Sequence, residues 1–135
     1  MTRGASVLVV DDRPLNLKLA SVALRADGFD VRCAADASEA FSVIAEETPM
    51  LAFIELQLPG IDGLELARRL KRDPGTRHIV VVALTGRVMP SDRDAALAAG
   101  CDGFITKPID TRALGRVAAR YIALAADRAP RPTSR

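Results

Sequence analysis

The sequence predicts one α/β domain, in which a five-stranded parallel sheet is covered by helices on both faces. The chain has 135 residues, which is the length of a single domain. Apolar residues make up 49% of the composition and aromatic residues only 4%, which indicates an aliphatic core of helices packed on a buried parallel sheet. Five short strand-like runs alternate with five stretches of helical periodicity, the pattern of parallel strands joined by helical crossovers.

The first strand and the first helix begin this alternation. Residues 7–10, Val-Leu-Val-Val, are apolar throughout, as expected for a strand that is buried on both faces. Pro14 suits the first turn of the helix that follows, and Gly28 ends that helix. We predict that its sheet-facing side carries the apolar residues that recur at helical spacing: Leu15, Leu19, Val22 and Ala23.

The remaining elements follow in alternation along the chain. Four further strands are predicted from short runs at residues 30–33, 50–54, 79–84 and 103–106. Four further helices are predicted from apolar spacings of three and four, at residues 37–47, 62–72, 90–99 and 110–126. Residues 1–126 therefore form the domain, and residues 127–135, which show no periodicity, are predicted to be a disordered tail.

Charged and hydroxyl side chains stand where four of the predicted strands end. They are Asp11, Asp12, Glu55, Thr85 and Lys107. Right-handed crossovers bring the carboxyl ends of parallel strands to one edge, and in open α/β sheets this edge carries the site. The topology alone therefore predicts that three carboxylates, one hydroxyl and one ammonium group meet at this edge.

The chemistry of this cluster favours a cation and a phosphoryl group. Two carboxylates about 4 Å apart repel each other by about 4 kcal/mol at an effective dielectric constant of about 20. Lys107 offsets part of this repulsion, and a hard divalent ion, Mg²⁺ above all, is suited to offset the rest. Thr85 as a hydrogen-bond donor and Lys107 as a point charge suit a phosphoryl group.

Composition argues against several other classes of protein. The net charge of +2 is weak for a nucleic-acid binder, and the basic residues within 68–72 are expected to lie on the outer surface of a helix. Cys33 and Cys101 lack metal-ligand spacing and are expected to be free thiols, while His78, the only histidine, is expected to lie in a loop. No signal-peptide core and no apolar run of about 18 residues occurs, so we expect a cytoplasmic protein without a membrane partner.

Four motifs, taken in order and spacing, resemble the receiver domains of response regulators, the CheY-like superfamily. They read Val-Leu-Val-Val-Asp-Asp-Arg-Pro-Leu-Asn, Leu-Pro-Gly-Ile-Asp-Gly, Val-Val-Ala-Leu-Thr-Gly and Gly-Phe-Ile-Thr-Lys-Pro-Ile, and the resemblance covers residues 5–126. The sequence around the first and last motifs is most similar to single-domain receivers of the DivK kind. The resemblance implies a flavodoxin-like (βα)5 fold and a role in two-component phosphorelay signalling.

The resemblance also implies roles for the residues at the strand ends. Asp11, Asp12 and the backbone carbonyl of Gln57 match the family's Mg²⁺ ligands, beside the carboxylate of Glu55 at the phosphoacceptor position. Thr85 matches the hydroxyl that holds the phosphoryl group and takes part in the switch.

Further positions match the family pattern around this site. Lys107 matches the lysine that pairs with the phosphoryl group, and the Lys107–Pro108 bond falls where the family has a cis peptide. Phe104 matches the aromatic residue that turns inward on activation. Gly86 is small, and we expect it to leave space for an incoming kinase histidine or for water.

The sequence departs from the family at Glu55, because the phosphoacceptor of receiver domains is Asp. Glu reaches about 1.5 Å further than Asp, and a misplacement of about 1 Å costs about 100-fold in rate. We therefore expect inefficient phosphorylation and weakened Mg²⁺ binding. One hypothesis is that Glu55 reaches Thr85 and Lys107 and imitates the phosphorylated state. A second is that Glu55 accepts phosphate slowly, and a third is that the natural protein has Asp here.

The residues and the resemblance together predict a cytoplasmic protein-binding switch that is not an enzyme and does not bind nucleic acid. Its expected partners are a histidine kinase, a phosphotransfer protein or another regulator, contacted through the fourth helix, the fifth strand and the fifth helix. The same surface is expected to form a weak dimer if the chain is not a monomer. One alternative is a conventional phosphoryl-accepting receiver. A more remote one is an Mg²⁺-dependent phosphohydrolase, disfavoured because Asp11 and Asp12 are adjacent and do not form an Asp-x-Asp pair.

Overall fold

The sheet is built from strands that all run in the same direction. In this computed structural model, which describes residues 4–86, 90–107 and 110–128, the strands are β1 (Ser6–Val10), β2 (Asp30–Ala34), β3 (Leu51–Glu55), β4 (Val80–Thr85) and β5 (Gly103–Thr106). Their order across the sheet is β2-β1-β3-β4-β5, and every neighbouring pair is parallel. The predicted α/β class and the flavodoxin-like strand order are confirmed.

Helices follow each strand, and their bounds agree with the prediction within two residues. They are α1 (Pro14–Ala26), α2 (Ala37–Glu46), α3 (Gly63–Arg72), α4 (Pro90–Ala98) and α5 (Thr111–Arg128). Because α5 continues to Arg128, residues 127 and 128 are helical and do not belong to the tail. The remainder of the predicted disordered tail lies outside the described residues. None of the helices in the described ranges is both long enough and apolar enough to cross a membrane.

The sheet separates two apolar clusters, which form the core. One cluster lies between the sheet and α2, α3 and α4, and the other lies between the sheet and α1 and α5. Strands β3 and β4 are buried along their whole length because helices cover both of their faces. Three of the four polar or charged residues that are buried in the described ranges lie at strand ends, where the site described below is found: Asp11, Glu55 and Thr85. The fourth, Ser21, lies on α1.

The predicted sheet-facing side of α1 is wrong. Leu15, Leu19 and Val22 are 65%, 49% and 58% exposed, whereas the buried side of this helix carries Ala20 and Leu24. Both sets of residues have helical spacing, so α1 is apolar on two sides and periodicity cannot distinguish between them. The buried side of α1 packs on the sheet and against α5, since Ala20 and Leu24 belong to the same apolar cluster as residues of β1, β3, β4 and α5.

The basic residues of α3 do not all face solvent, as the sequence suggested. Lys71 is turned inward, and its ammonium group donates to the carbonyl oxygen of Ile79 at 2.6 Å and to Asp102 Oδ2 at 2.8 Å. Asp102 Oδ2 also accepts from the backbone N–H of Val81 at 2.9 Å. This ion pair ties α3 to the beginning of β4 and to the turn before β5, at the edge of the sheet opposite the candidate site.

The cysteines are free thiols, as predicted. Cys33 is half-buried, and Cys101 is buried. Burial raises the pKa of the Cys101 thiol to about 11, with a smaller contribution from the negative charge of Asp102. This thiol is therefore un-ionised at neutral pH and is poorly suited to redox chemistry.

Candidate functional site

Polar residues gather at the carboxyl edge of the sheet. Asp11 directly follows β1, Glu55 and Thr85 are the last residues of β3 and β4, and Lys107 directly follows β5. Asp11, Glu55 and Thr85 are buried, with 1%, 6% and 1% of their surface exposed. A charged or hydroxyl side chain so deeply buried requires partners within the protein.

Lys107 joins two of the carboxylates. Its ammonium nitrogen donates to Asp11 Oδ2 at 2.6 Å and forms an ion pair with Glu55 Oε1, while only 17% of its side chain is exposed. Burial by itself lowers the pKa of Lys107, but the hydrogen bonds to Asp11 and Glu55 outweigh this effect and raise the pKa above its ordinary value. Lys107 is therefore a fixed positive charge between two buried negative charges.

The oxygens of Asp11 have further partners. Oδ1 accepts from the backbone N–H of Arg13 at 3.0 Å, and Oδ2 accepts from the side-chain amide of Asn16 at 3.3 Å in addition to Lys107. Arg13 and Asn16 were not predicted as site residues. Their positions at the start of α1, two and five residues after Asp11, are the signal that identifies them.

The loop after β3 holds the second oxygen of Glu55. The backbone N–H of Gln57 donates to Glu55 Oε2 at 3.0 Å, while Oε1 contacts Lys107. Both oxygens of Glu55 are therefore occupied by donors from the protein. The carboxylate lies where its single negative charge is neutralised by one ammonium group and one peptide dipole.

Two of the residues that match the family's Mg²⁺ ligands, Asp11 and Glu55, are engaged by donors from the protein in this arrangement. Both oxygens of Asp11 and both oxygens of Glu55 already accept hydrogen bonds or ion pairs from protein donors. Asp12 is exposed. Across the described ranges, no group of three or more His, Cys, Asp or Glu side chains is placed to hold a metal ion. The donor chemistry suits Mg²⁺, and in this arrangement the carboxylates of Asp11 and Glu55 both contact the ammonium group of Lys107.

A cleft of about 640 Å³ opens beside this cluster. Asp12, Arg13, Gly86, Glu55 and Lys107 are among the residues that line it. A Cβ atom added at Gly86 would have no neighbour within 4 Å, so the space expected at this position exists. Solvent and small solutes can therefore reach the cluster from one side.

The link between the site and α4 passes through β4 and β5. The backbone N–H of Lys107 donates to the carbonyl oxygen of Thr85 at 2.7 Å, which joins the ends of these two strands. Phe104, the predicted switch residue on β5, is half-buried, and the guanidinium carbon of Arg93 on α4 lies 5.9 Å from its ring centroid. Nothing in the sequence pairs Arg93 with Phe104, because the two residues lie on different elements. The predicted cis bond at Lys107–Pro108 lies outside the described residues.

Gly63 at the start of α3 lies against the backbone of Glu55 and Leu56 at the end of β3. Its N–H donates to the carbonyl oxygen of Leu56 at 3.0 Å, and a Cβ atom at this position would overlap the backbone of Glu55 and Leu56. Only glycine therefore permits α3 to approach the end of β3 so closely.

Replacing Gly63 with Ala is expected to lower the free energy of unfolding by about 2–3 kcal/mol, because two backbone segments must move apart. Urea unfolding followed by circular dichroism measures this loss. Gly75→Ala is the matched control, since its nearest contact is an ordinary 3.4 Å from a side-chain oxygen. Equal free energies of unfolding for the two variants would contradict this prediction, because they would show that the turn between β3 and α3 can rearrange at little cost in free energy.

Comparison with known proteins gives a consistent result. The family model described as response regulator receiver domain matches residues 7–119. The chain is 40% identical over 107 residues to the response regulator PleD of Caulobacter vibrioides. This alignment covers 79% of this chain but only 24% of PleD. The chain is 36% identical over 104 residues to the polar-differentiation response regulator DivK of Brucella anthropi, covering 77% of this chain and 85% of DivK. The chain thus spans about a quarter of PleD and most of DivK.

Solved structures show the same architecture. A putative response regulator from Chloroflexus aurantiacus superimposes with a TM-score of 0.84 at 29% identity, over 90% of this chain and 99% of that chain. A CheY-like receiver domain protein from Methanospirillum hungatei gives a TM-score of 0.85 at 25% identity, over 93% of this chain and 99% of that one.

Proposed function

This chain belongs to the family of response regulator receiver domains of two-component signalling, and from this premise we propose that it is a protein-binding switch in which Glu55 takes the place of a phosphoryl group. The family consists of signalling switches and not of classical enzymes. We further propose that this chain turns over no substrate, that it works in the cytoplasm, and that Glu55 carries its signal without phosphorylation.

The observation that carries the proposal is the ion pair between Glu55 Oε1 and Lys107. In a phosphorylated receiver, the corresponding lysine pairs with the phosphoryl group. Glu55 has a longer side chain than Asp and holds the ammonium of Lys107 without any added group. The imitation is partial, because Glu carries one negative charge and a phosphoryl group about 1.5 to 2.

The signal reaches the surface through β4 and β5. The hydrogen bond between Lys107 and Thr85 couples the ends of these strands, and Phe104 lies on β5 under Arg93 of α4. A switch of this kind works when charge in the pocket biases a two-state element such as the Phe104 ring. The proposed output surface therefore consists of α4, β5 and α5, where Leu97 is 55% exposed.

Receiver domains interact with histidine kinases or other regulators. We propose the same classes of partner here, including a phosphotransfer protein, and a monomer or a weak dimer formed through α4, β5 and α5. Receiver domains also generally bind Mg²⁺ at the phosphorylation site. In this chain Asp11 and Glu55 accept from Lys107 and from backbone donors, and the proposed switch works through these contacts without a step that depends on the ion.

Replacing Glu55 with Gln is expected to weaken partner binding by about tenfold or more, because the neutral amide loses its ion pair with Lys107. The measurement is the affinity for histidine kinase and phosphotransfer domains encoded in the same genome, determined by isothermal titration calorimetry. Amide chemical shifts of α4 and β5 are recorded in parallel.

Glu46→Gln is the matched control for this experiment. Glu46 makes an exposed ion pair with Arg32, so the same chemical change occurs away from the pocket. Unchanged affinity and unchanged amide shifts in Glu55→Gln would show that the carboxylate is not the signal.

A further inference from the structure

Helix α4 is held to the sheet by little apolar packing. Of its nine residues, all of which the structure describes, only Ala96 is buried, whereas α3 buries four of its ten. Burial of apolar surface is the dominant force that fixes a helix on a sheet. Individual polar interactions can therefore decide where α4 lies, and two of them are found in its first turn.

The end of α4 is fixed by contrast. The N–H of Cys101 donates to the carbonyl oxygen of Ala96 at 3.0 Å. The N–H of Asp102 donates to the carbonyl oxygen of Val81 at 2.7 Å, and the ion pair of Asp102 with Lys71 ties the same turn to α3. Any displacement of α4 is therefore expected to be largest at its first turn, at the opposite end of the helix.

Arg93 attaches this first turn to β5. Its guanidinium carbon lies 5.9 Å from the centroid of the Phe104 ring, and the attraction between a cation and an aromatic face extends to about 6 Å. Arg93 is exposed and Phe104 is half-buried, so the two side chains meet at the surface of the protein. The contact favours the position of α4 in which the ring is covered.

Asp92, the preceding residue, opposes this position. Its Oδ2 atom is buried and has no hydrogen-bond partner in the part of the chain that the structure describes. A buried polar atom without a partner has lost its hydration and gained nothing in exchange. An outward displacement of the first turn would return this oxygen to water and would at the same time take Arg93 off the Phe104 ring.

We propose that Arg93 and Asp92 are positioning residues that balance two positions of the first turn of α4, one packed on Phe104 and one displaced from it. Arg93 favours the packed position, and Asp92 favours the displaced one. Phe104 lies on β5, the strand that leads to Lys107, so loss of the ion pair between Glu55 and Lys107 shifts the balance toward the displaced position. This inference rests on the proposed function, in which α4 belongs to the output surface.

The test is the nuclear magnetic resonance signal of the Phe104 ring in protein with ¹³C-labelled phenylalanine. The chain has four phenylalanines, and Phe104→Leu identifies the signal. Arg93→Gln is expected to shift the ratio of packed to displaced protein about two- to fivefold toward the displaced position, the strength of an exposed cation–π contact. Asp92→Ala is expected to shift the ratio about fivefold toward the packed position, because no buried oxygen is left without a partner. The two variants should therefore move the ring signal in opposite directions along one line.

Matched variants make this test specific. Arg77→Gln and Asp94→Ala make the same chemical changes at exposed residues, and both are expected to leave the ring signal in place. Arg93→Lys keeps a cation and is expected to recover part of the native position of the signal, which a side chain of similar size without charge would not do. Glu55→Gln is expected to move the signal in the direction of Arg93→Gln.

Movement of the ring signal in the same direction in Arg93→Gln and Asp92→Ala, or no movement in either, would overturn the proposal. A signal in Arg93→Lys that coincides with that of Arg93→Gln would also overturn it, because the charge would then have no part in holding the ring.

The two proposals can fail separately. Opposite shifts in Arg93→Gln and Asp92→Ala, together with unchanged partner affinity in Glu55→Gln, would retain the balance at α4 and reject Glu55 as the signal. Loss of partner affinity in Glu55→Gln, with an unmoved ring signal in both α4 variants, would retain the protein-binding switch and reject the balance.

Discussion

Replacing Glu55 with Asp is expected to raise the rate of phosphorylation by a small-molecule donor by about 100-fold. The native carboxylate is held by Lys107 and by the backbone N–H of Gln57, and the longer side chain of Glu is expected to misplace it for in-line attack. Asp withdraws the carboxylate by about 1.5 Å and leaves room for in-line attack. The carboxylate oxygen then forms a bond to phosphorus while the bond from phosphorus to the leaving acetate of acetyl phosphate breaks.

Intact mass after incubation with acetyl phosphate and Mg²⁺ measures this effect as the rate at which a phosphoryl adduct appears. Glu55→Ala lacks the acceptor carboxylate and reports phosphorylation elsewhere. Glu46→Asp makes the same chemical change at an exposed residue and should leave the slow native rate as it is. Native protein that forms the adduct as fast as Glu55→Asp would show that Glu55 is a working phosphoacceptor, and the chain would then be a conventional receiver with a longer acceptor.

Lys107→Met is expected to lower the free energy of unfolding near pH 8 by about 3 kcal/mol. Removing one partner of a buried ion pair typically costs about 3–5 kcal/mol, and the lower end applies because 17% of the Lys107 side chain is exposed. The loss arises because Asp11 and Glu55 stay buried without the ammonium group that neutralises both of them. Urea denaturation of native protein, Lys107→Met and the surface control Lys18→Met measures the difference.

The stabilisation that Lys107 contributes is expected to decrease at high pH. The pKa of Lys107 in the folded protein lies above the ordinary value of 10.5. A group of this kind contributes its full stabilisation below the ordinary pKa and loses it as the pH rises through the folded value. Native protein should therefore lose stability above about pH 10.5, and Lys107→Met should lack this component. A variant as stable as Lys18→Met at pH 8 would mean that the buried carboxylates gain little from the ammonium group.

The order of the strands and helices and the members of the candidate site were largely predictable from the sequence, and both follow from the parallel topology. Parallel strands joined by right-handed crossovers end at one edge, so the residues that follow each strand meet there whatever the details of packing. This is why Asp11, Glu55 and Lys107 were expected together before any contact was measured. The departure at Glu55 was also visible, since a single position of an otherwise complete pattern differs in chemical type.

The side of a helix that is buried against the sheet could not be predicted from periodicity, as α1 illustrates. Leu15, Leu19 and Val22 form one apolar side of this helix and Ala20 and Leu24 form another, so periodicity supports both. Only the simultaneous fit of α1 against the sheet and α5 selects the second. Lys71 similarly belongs to a basic run that reads as a surface feature, yet its ammonium group is satisfied by Asp102, 31 residues away.

The sequence by itself therefore determined the order of the elements, the family, and which side chains reach the carboxyl edge of the sheet. Tertiary structure decided how those side chains pair: that Lys107 bridges Asp11 and Glu55, and that Arg93 covers Phe104. The physical reason is the separation along the chain of the residues whose interactions decide each feature. Periodicity and strand ends are set by neighbours along the chain, whereas the distance between two side chains depends on how whole helices and strands settle against each other.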